Sequence, residues 1–183
     1  FAGRFDKRKG LIEAIEIMKE TNSLIECKCM VSGYFWPNDS DEIEIRELLS
    51  KHAFIEVRET NVSDWNETAE QRLEEQLVAS DVVLLPYKKL SSTVDTPLLV
   101  LEAMAKKCVV YMPKRPRELL DFLSVNPRCL APENDTAAAV ARWIVILAKD
   151  REKLHVIQDE NAESFARHQV DTRDMFHKIL ADY

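Results

Sequence analysis

Basic residues gather in three groups along the chain: Arg4, Lys7, Arg8 and Lys9; Lys88 and Lys89; and Lys114, Arg115 and Arg117. The 183-residue chain carries a formal charge of -7, so the placement of its positive charge is informative. Each group follows a β-rich run, and open parallel α/β sheets bind ligands outside the carboxyl ends of their strands. Guanidinium and ammonium groups at such an edge suit an anion. Phosphate fits best, because the guanidinium fork matches its oxygens bidentately. Solvated loop residues are the alternative, since Lys and Arg are common on exposed loops, and charge placement alone leaves it open.

The usual phosphate loops are missing. Only Gly3, Gly10 and Gly33 occur, and neither G-x-G-x-x-G nor a P-loop can be written from them. Dinucleotide oxidoreductases and P-loop NTPases therefore fit poorly. The remaining device is a helix N-terminus, whose free N–H groups and positive dipole end hold anions. Asp95-Thr96-Pro97 supplies one: Asp95 or Thr96 is a good N-cap, and Pro97 suits the first helical position. The helix that follows, Leu98-Leu99-Val100-Leu101-Glu102-Ala103-Met104-Ala105, is apolar on nearly all sides and is expected to be buried. Glu102 is its single charge before Lys106. A carboxylate there needs a partner: the hydroxyls of a bound ribose would serve, and so would a lysine, a backbone group or the rim.

The elements that must position these residues alternate between strand and helix. Lys9 to Asn22 has helical period, Cys27 to Phe35 reads as a strand, and Ser40 to Ala53 as a helix capped by Ser40 or Asp41. Phe54 to Val57 is a short strand, followed by a helix from Asn66 to Ser80. Asp81 to Tyr87 is the clearest buried strand, Leu98 to Lys106 a helix, and Cys108 to Met112 the next strand. A short helix at Glu118 to Leu123, a strand near Arg128 to Ala131 and helices from Thr136 to Tyr183 complete the chain. This alternation predicts one α/β domain over residues 1–183, a Rossmann-like, doubly wound parallel sheet. Its first strand reads as cut short, as in a fragment of a longer protein.

Composition excludes several classes. The pI near 5.2 argues against general nucleic-acid binding, and no run of about 18 apolar residues exists to span a membrane. Cys27, Cys29, Cys108 and Cys129 all fall in segments that read as buried strands, where a thiol packs as a small hydrophobe. No second Cys or His pair stands at zinc spacing, so no metal site is expected. Reduced thiols suit the cytosol. His52, His155, His168 and His177 are scattered on helical segments and read as surface or packing residues.

At these residues the chain resembles a known family. Gly3-Arg4 with Lys9-Gly10 is similar to the G-R-x(4)-K-G opening of the C-terminal domain in family-4 glycosyltransferases of GT-B architecture. Ala79 to Pro86 resembles their "ADV..LP" strand, and Pro97 to Ala105 their "P-L-x-x-L-E-A-M-A" helix. Leu130 to Asp135, the Ala-rich helix after it and the segment to Tyr183 continue the likeness. The resemblance implies a donor-binding lobe for a nucleoside-diphosphate sugar, with no other cofactor, facing an N-terminal acceptor lobe. Arg4 and Lys9 match the residues that bind the donor's diphosphate and stabilise the departing nucleotide. Glu102 matches the second glutamate of an E-x(7)-E motif, which holds the donor ribose. Gly3, Pro97 and the backbone N–H groups of Thr96, Leu98 and Leu99 correspond to sugar and phosphate contacts, and Asp95 would take over the contact of the motif's first glutamate with a one-residue shift in the loop. Transfer would retain anomeric configuration, without a metal, in the cytoplasm. Membrane docking of the full protein would be made through the N-terminal lobe, and this lobe alone would be inactive.

Three positions depart from the pattern. Val94 stands where the family has its first glutamate, with Asp95 beside it; Lys107 replaces the glycine after the EAMA helix. Pro113 to Arg117 lacks the usual glycine pair, although Glu118 resembles the acidic residue that follows. Two other readings stand beside the enzyme: a degenerate lobe that serves as a binding module, and an unrelated flavodoxin-like signalling domain. The second lacks its usual acidic cluster, because Arg4 and Arg58 end the first and third strands.

Overall fold

The computed structural model describes residues 1–61, 67–88, 98–113 and 135–181, the side chains of 67–70 and 168–181 excepted. Strands β1 (Ala2–Arg4), β2 (Cys29–Tyr34) and β3 (Ile55–Glu59) form a parallel sheet in that order, with Gly3 opposite Gly33 and Cys29 opposite Ile55. Strands β4 (Val82–Leu84) and β5 (Val109–Tyr111) form a second parallel pair. Burial alternates along β2, as a strand with one covered face requires, whereas Val109, Val110 and Tyr111 of β5 are all buried.

Helices α1 (Leu11–Leu24), α2 (Glu42–Ser50), α3 (Glu67–Val78) and α4 (Leu98–Ala105) alternate with the strands. Helices α5 (Ala137–Lys149) and α6 (Arg151–Ala181) close the chain. Helix α1 buries Leu11, Ala14, Ile15, Ile17, Met18 and Thr21, one broad face at helical spacing. The buried Thr21 hydroxyl donates to the Ile17 carbonyl at 2.8 Å. That face packs on α5, whose first turn is capped by Thr136. Helix α6 lies against α4 and β5, and its buried Asn161 donates from Nδ2 to the Cys108 carbonyl at 2.7 Å.

The architecture is α/β with parallel sheets flanked by helices, as the alternation predicts. The expected single sheet is divided between β1 and β4. The two strands meet through side chains, with Leu84 in one core cluster with Phe1, Phe5 and Leu11. Backbone contact comes after the strands, where Lys88 N–H donates to the Arg8 carbonyl at 3.1 Å. Helix α1 begins at Leu11 rather than Lys9. Asp6 caps a separate 3-10 turn over Lys7–Lys9, and Gly10, at φ 77°, turns the chain between the two. Asp41 holds the N-cap position of α2 without a side-chain cap; Asp39 Oδ1 instead accepts from Asp41 N–H at 3.0 Å. The expected helix at Glu118 to Leu123 and the strand at Arg128 to Ala131 lie outside the described residues.

Helix α4 corrects a further expectation. Val100, Ala103 and Met104 are buried, but Leu98 is 68% exposed and Glu102 is exposed as well. One side of this apolar helix faces open space instead of core. The helix ends in a Schellman turn: Cys108 N–H reaches the Ala103 carbonyl at 2.9 Å and Lys107 N–H the Met104 carbonyl at 3.0 Å. Lys107 takes the left-handed position at φ 61°, where glycine is favoured. A lysine here adopts a backbone shape that usually calls for glycine.

Candidate functional site

The loop leaving β1 concentrates charge around one buried carboxylate. Asp6, 2% exposed, accepts from the guanidinium of Arg4, from Nε and Nη2 of Arg8 at 3.2 and 2.8 Å, and from Arg8 N–H at 2.6 Å. Burial pushes its pKa upward, yet the bonds from Arg8 and Arg4 outweigh it and hold the group down at about 2. Sequence reading did not single out Asp6. Its signal was an N-cap residue immediately before the Lys7–Lys9 turn.

The other described cations of this edge divide sharply. Lys7 is engaged by Glu44 at 2.6 Å and Asp41 at 3.4 Å, and Lys88 by Glu13. Lys9 has no carboxylate partner among the described residues; its ammonium lies 5.2 Å from the centroid of the Tyr87 ring. Burial first, and then Arg4 and Arg8, lower its pKa, with Asp6 opposing. Arg4 keeps Nε buried and without an acceptor among the described residues. The two cations matched to the diphosphate therefore retain donors that no described carboxylate takes up.

Beside this loop, a cleft of ≈ 1340 Å³ opens across the carboxyl ends of β1 to β3 and the faces of α3 and α4. It brings together Gly3, Leu98, Leu99 and Glu102, four of the residues expected at the donor. Arg4 follows Gly3 directly, but neither Arg4 nor Lys9 is among the residues lining the cleft. Gly3 has φ 125°, a conformation L side chains rarely adopt, and a Cβ there would meet no described atom within 4 Å. Its bare backbone faces open cleft. The opposite holds at Gly10, where a Cβ would come within 1.9 Å of the Pro86 carbonyl oxygen. That approach fixes the start of α1 against the exit of β4.

The cleft also contains residues that sequence reading missed: Ser32, Gly33 and Tyr34 of β2, Glu59 and Thr60 at the end of β3, and Gln71 of α3. Arg58 lines it too. For those on β2 and β3 the position at a strand end was the available signal, but none carries a recognisable spacing. Glu59 is held in place by Arg46, whose guanidinium donates to both its oxygens at 2.6 and 2.7 Å. Asp95, Thr96 and Pro97 lie outside the described residues, as do Val94, Lys89, Lys114, Arg115, Arg117 and Cys129. Among the described residues no group of three His, Cys, Asp or Glu side chains is placed to hold a metal ion.

No protein-family model and no curated protein sequence matches the chain. Solved structures do. The C-terminal domain of a glycosyl transferase group 1 family protein from Francisella tularensis aligns over 90% of this chain and 82% of its own, with a TM-score of 0.65 at 22% identity. The catalytic domain of cholesterol-alpha-glucosyltransferase from Helicobacter pylori aligns over 92% of this chain and 98% of its own, with a TM-score of 0.61 at 17% identity. The fold is that of a GT-B C-terminal lobe. In this lobe the cleft sits at the carboxyl ends of β1 to β3, beside the first of the three basic groups expected to mark a ligand. No helix among the described residues is long and apolar enough to cross a membrane.

Proposed function

We propose that the chain is the donor-binding lobe of a retaining family-4 glycosyltransferase that uses a nucleoside-diphosphate sugar. The observation that carries the reading is the cleft that gathers Gly3, Leu98, Leu99 and Glu102 beside the Arg4–Lys9 loop. Arg4 and Lys9 take the diphosphate and stabilise the charge that develops on it as the sugar–phosphate bond breaks. Glu102 accepts from the ribose hydroxyls, and the bare backbone of Gly3 admits the ligand closely. Asp95, Pro97 at the first position of the helix and the backbone N–H groups of Thr96, Leu98 and Leu99 complete the sugar and phosphate contacts. With two cations doing the charge work, no metal is required. A second lobe holds the acceptor, so this lobe binds donor without transferring it. The full protein works in the cytoplasm, and any membrane contact belongs to the acceptor lobe.

The rival reading, a degenerate lobe acting as a binding module, draws on Val94 in place of the first glutamate. It shares the fold and differs in ligand. Calorimetry with UDP, GDP and ADP against the corresponding nucleosides tests the donor reading. A diphosphate should bind at least tenfold more tightly than its nucleoside, because each charge-assisted contact is worth roughly 1.5–3 kcal/mol. Equal affinities, or no binding of any diphosphate, would overturn it.

A further inference from the structure

Cys27 and Cys29 lie at the end of β2 remote from the cleft. Cys29 opens the strand opposite Ile55, whereas the cleft is reached at Ser32, roughly 10 Å further along. Alternate residues of an extended segment project to the same side, and here the two sulfurs touch, with Sγ···Sγ 3.6 Å. Both are free thiols, Cys29 buried and Cys27 half-buried. Both line a cavity of ≈ 510 Å³ walled by Met18 and Thr21 of α1, Asp81 before β4 and Leu147 of α5. Cys108 differs: it is fully buried away from this cavity, and its Sγ donates to the Leu77 carbonyl at 3.1 Å.

We propose that Cys27 and Cys29 form a vicinal dithiol that closes reversibly to an intramolecular disulfide by exchange with a low-molecular-weight disulfide entering through this cavity. An S–S bond is about 2.05 Å long. The sulfurs therefore need to approach by only about 1.5 Å from contact, a movement on the scale of small χ1 rotations.

The exchange proceeds in two displacements. The Cys27 thiolate attacks one sulfur of the small disulfide; that S–S bond breaks, and the first small thiolate leaves and takes up a proton. The Cys29 thiolate then attacks the Cys27 sulfur, the mixed disulfide breaks, and the second small thiol departs. Two protein thiols have lost two electrons and two protons, and the small disulfide has become two thiols. Cys27 acts first because it is the more accessible. Burial, and next the charge of Cys27, hold the Cys29 thiol above its ordinary value. Converting Cys27 to a mixed disulfide removes that neighbouring charge, so Cys29 ionises more readily just when it must attack.

The test is incubation of the native protein with oxidised glutathione, followed by alkylation of the remaining thiols, intact mass and peptide mapping. Lys28 stands between the two cysteines, so trypsin separates them and a joined peptide pair reports the bond directly. Wild type should lose the mass of two hydrogens, keep no glutathione, show a Cys27–Cys29 linkage and revert with dithiothreitol. Cys29→Ser should retain one glutathione on Cys27, and Cys27→Ser should react far more slowly. Three results in wild type, which do not depend on how the variants fold, would overturn the proposal: a persistent glutathione adduct on Cys27, a linkage through Cys108 or Cys129, or no loss of thiol.

Discussion

The carboxylate of Asp6 and the guanidinium of Arg4 are joined across a single residue, Phe5, which is itself completely buried. Phe5 meets Phe35 edge-on at 5.0 Å between ring centroids. One short segment thus anchors the core, shapes the turn before α1 and aims the cation expected at the diphosphate.

Asp6 should govern the acid stability of the lobe. Its folded pKa, about 2, lies below the ordinary value of 3.8, so its contribution is present above pH 4 and lost as pH falls through about 2. The difference corresponds to about 2–3 kcal/mol. Urea unfolding of wild type and Asp6→Asn between pH 7 and pH 2 measures it. The gap between the two proteins should be widest at neutral pH and close toward pH 2; a constant gap would show that Asp6 acts by shape alone.

Gly3 and Gly10 should fail for different reasons. Gly3→Ala meets no described neighbour but forces an alanine into a positive-φ conformation, at a cost of about 1–3 kcal/mol. Gly10→Ala adds a collision with the Pro86 backbone, so at least about 2 kcal/mol should be lost, with displacement of the α1 start. Denaturant midpoints give the two costs. If the donor site is as proposed, Gly3→Ala should also weaken nucleotide binding beyond its effect on stability.

Lys107→Gly should stabilise the lobe. A lysine in the left-handed position of a Schellman turn costs about 1 kcal/mol relative to glycine. The substitution also removes the ion pair to Asp159 at 2.8 Å, but both side chains are 62% exposed and such pairs contribute little. A net gain of about 0.5–1 kcal/mol in unfolding free energy is expected. A loss would mean that the Lys107–Asp159 pair, which ties the end of α4 to α6, matters more than its exposure suggests.

What the sequence revealed follows from the range of the physics involved. The α1 stripe and the apolar β5 depend on neighbours within a turn or two, so periodicity exposes them. The full burial expected of α4 was misjudged because helix composition reports what is apolar, not which side another element covers; α4 turns Leu98 and Glu102 to a cleft. The separation of β1 from β4 depends on how strand exits meet at Gly10 and Pro86, residues far apart in sequence. Tyr34 and Glu59 reach the cleft only because parallel strands align their carboxyl ends. The Gly3–Arg4 and Lys9–Gly10 pattern was legible, whereas the capture of Arg4 by Asp6 was not.

Lys9 should matter to ligand and little to fold. It has no carboxylate partner among the described residues, so Lys9→Gln removes no ion pair there and should shift stability by well under the cost of Asp6→Asn. Diphosphate affinity should fall by roughly 10- to 100-fold if Lys9 contacts phosphate. Lys7→Gln is the control, since Lys7 is engaged by Glu44 and Asp41; calorimetry should show it close to wild type. Equal losses from Lys7 and Lys9 would indicate a general field effect and remove Lys9 from the site.

Glu102 separates a donor lobe from a degenerate one. Glu102 is an exposed residue of α4 and borders the same cleft as Gly3, so Glu102→Gln should fold with a melting temperature near wild type. If Glu102 accepts from ribose hydroxyls, losing the charged acceptor should weaken nucleoside-diphosphate binding by on the order of 1–3 kcal/mol. A 2′,3′-dideoxy nucleotide removes the ligand's side of the same hydrogen bonds. Wild type should bind it about as poorly as the variant binds the ordinary nucleotide, and the variant should hardly distinguish the two ligands, because a double-mutant cycle closes on the pair. If wild type binds dideoxy and ordinary nucleotides equally, Glu102 is no ribose ligand. The cleft would then keep the family's shape without its chemistry, and the binding-module reading would take precedence.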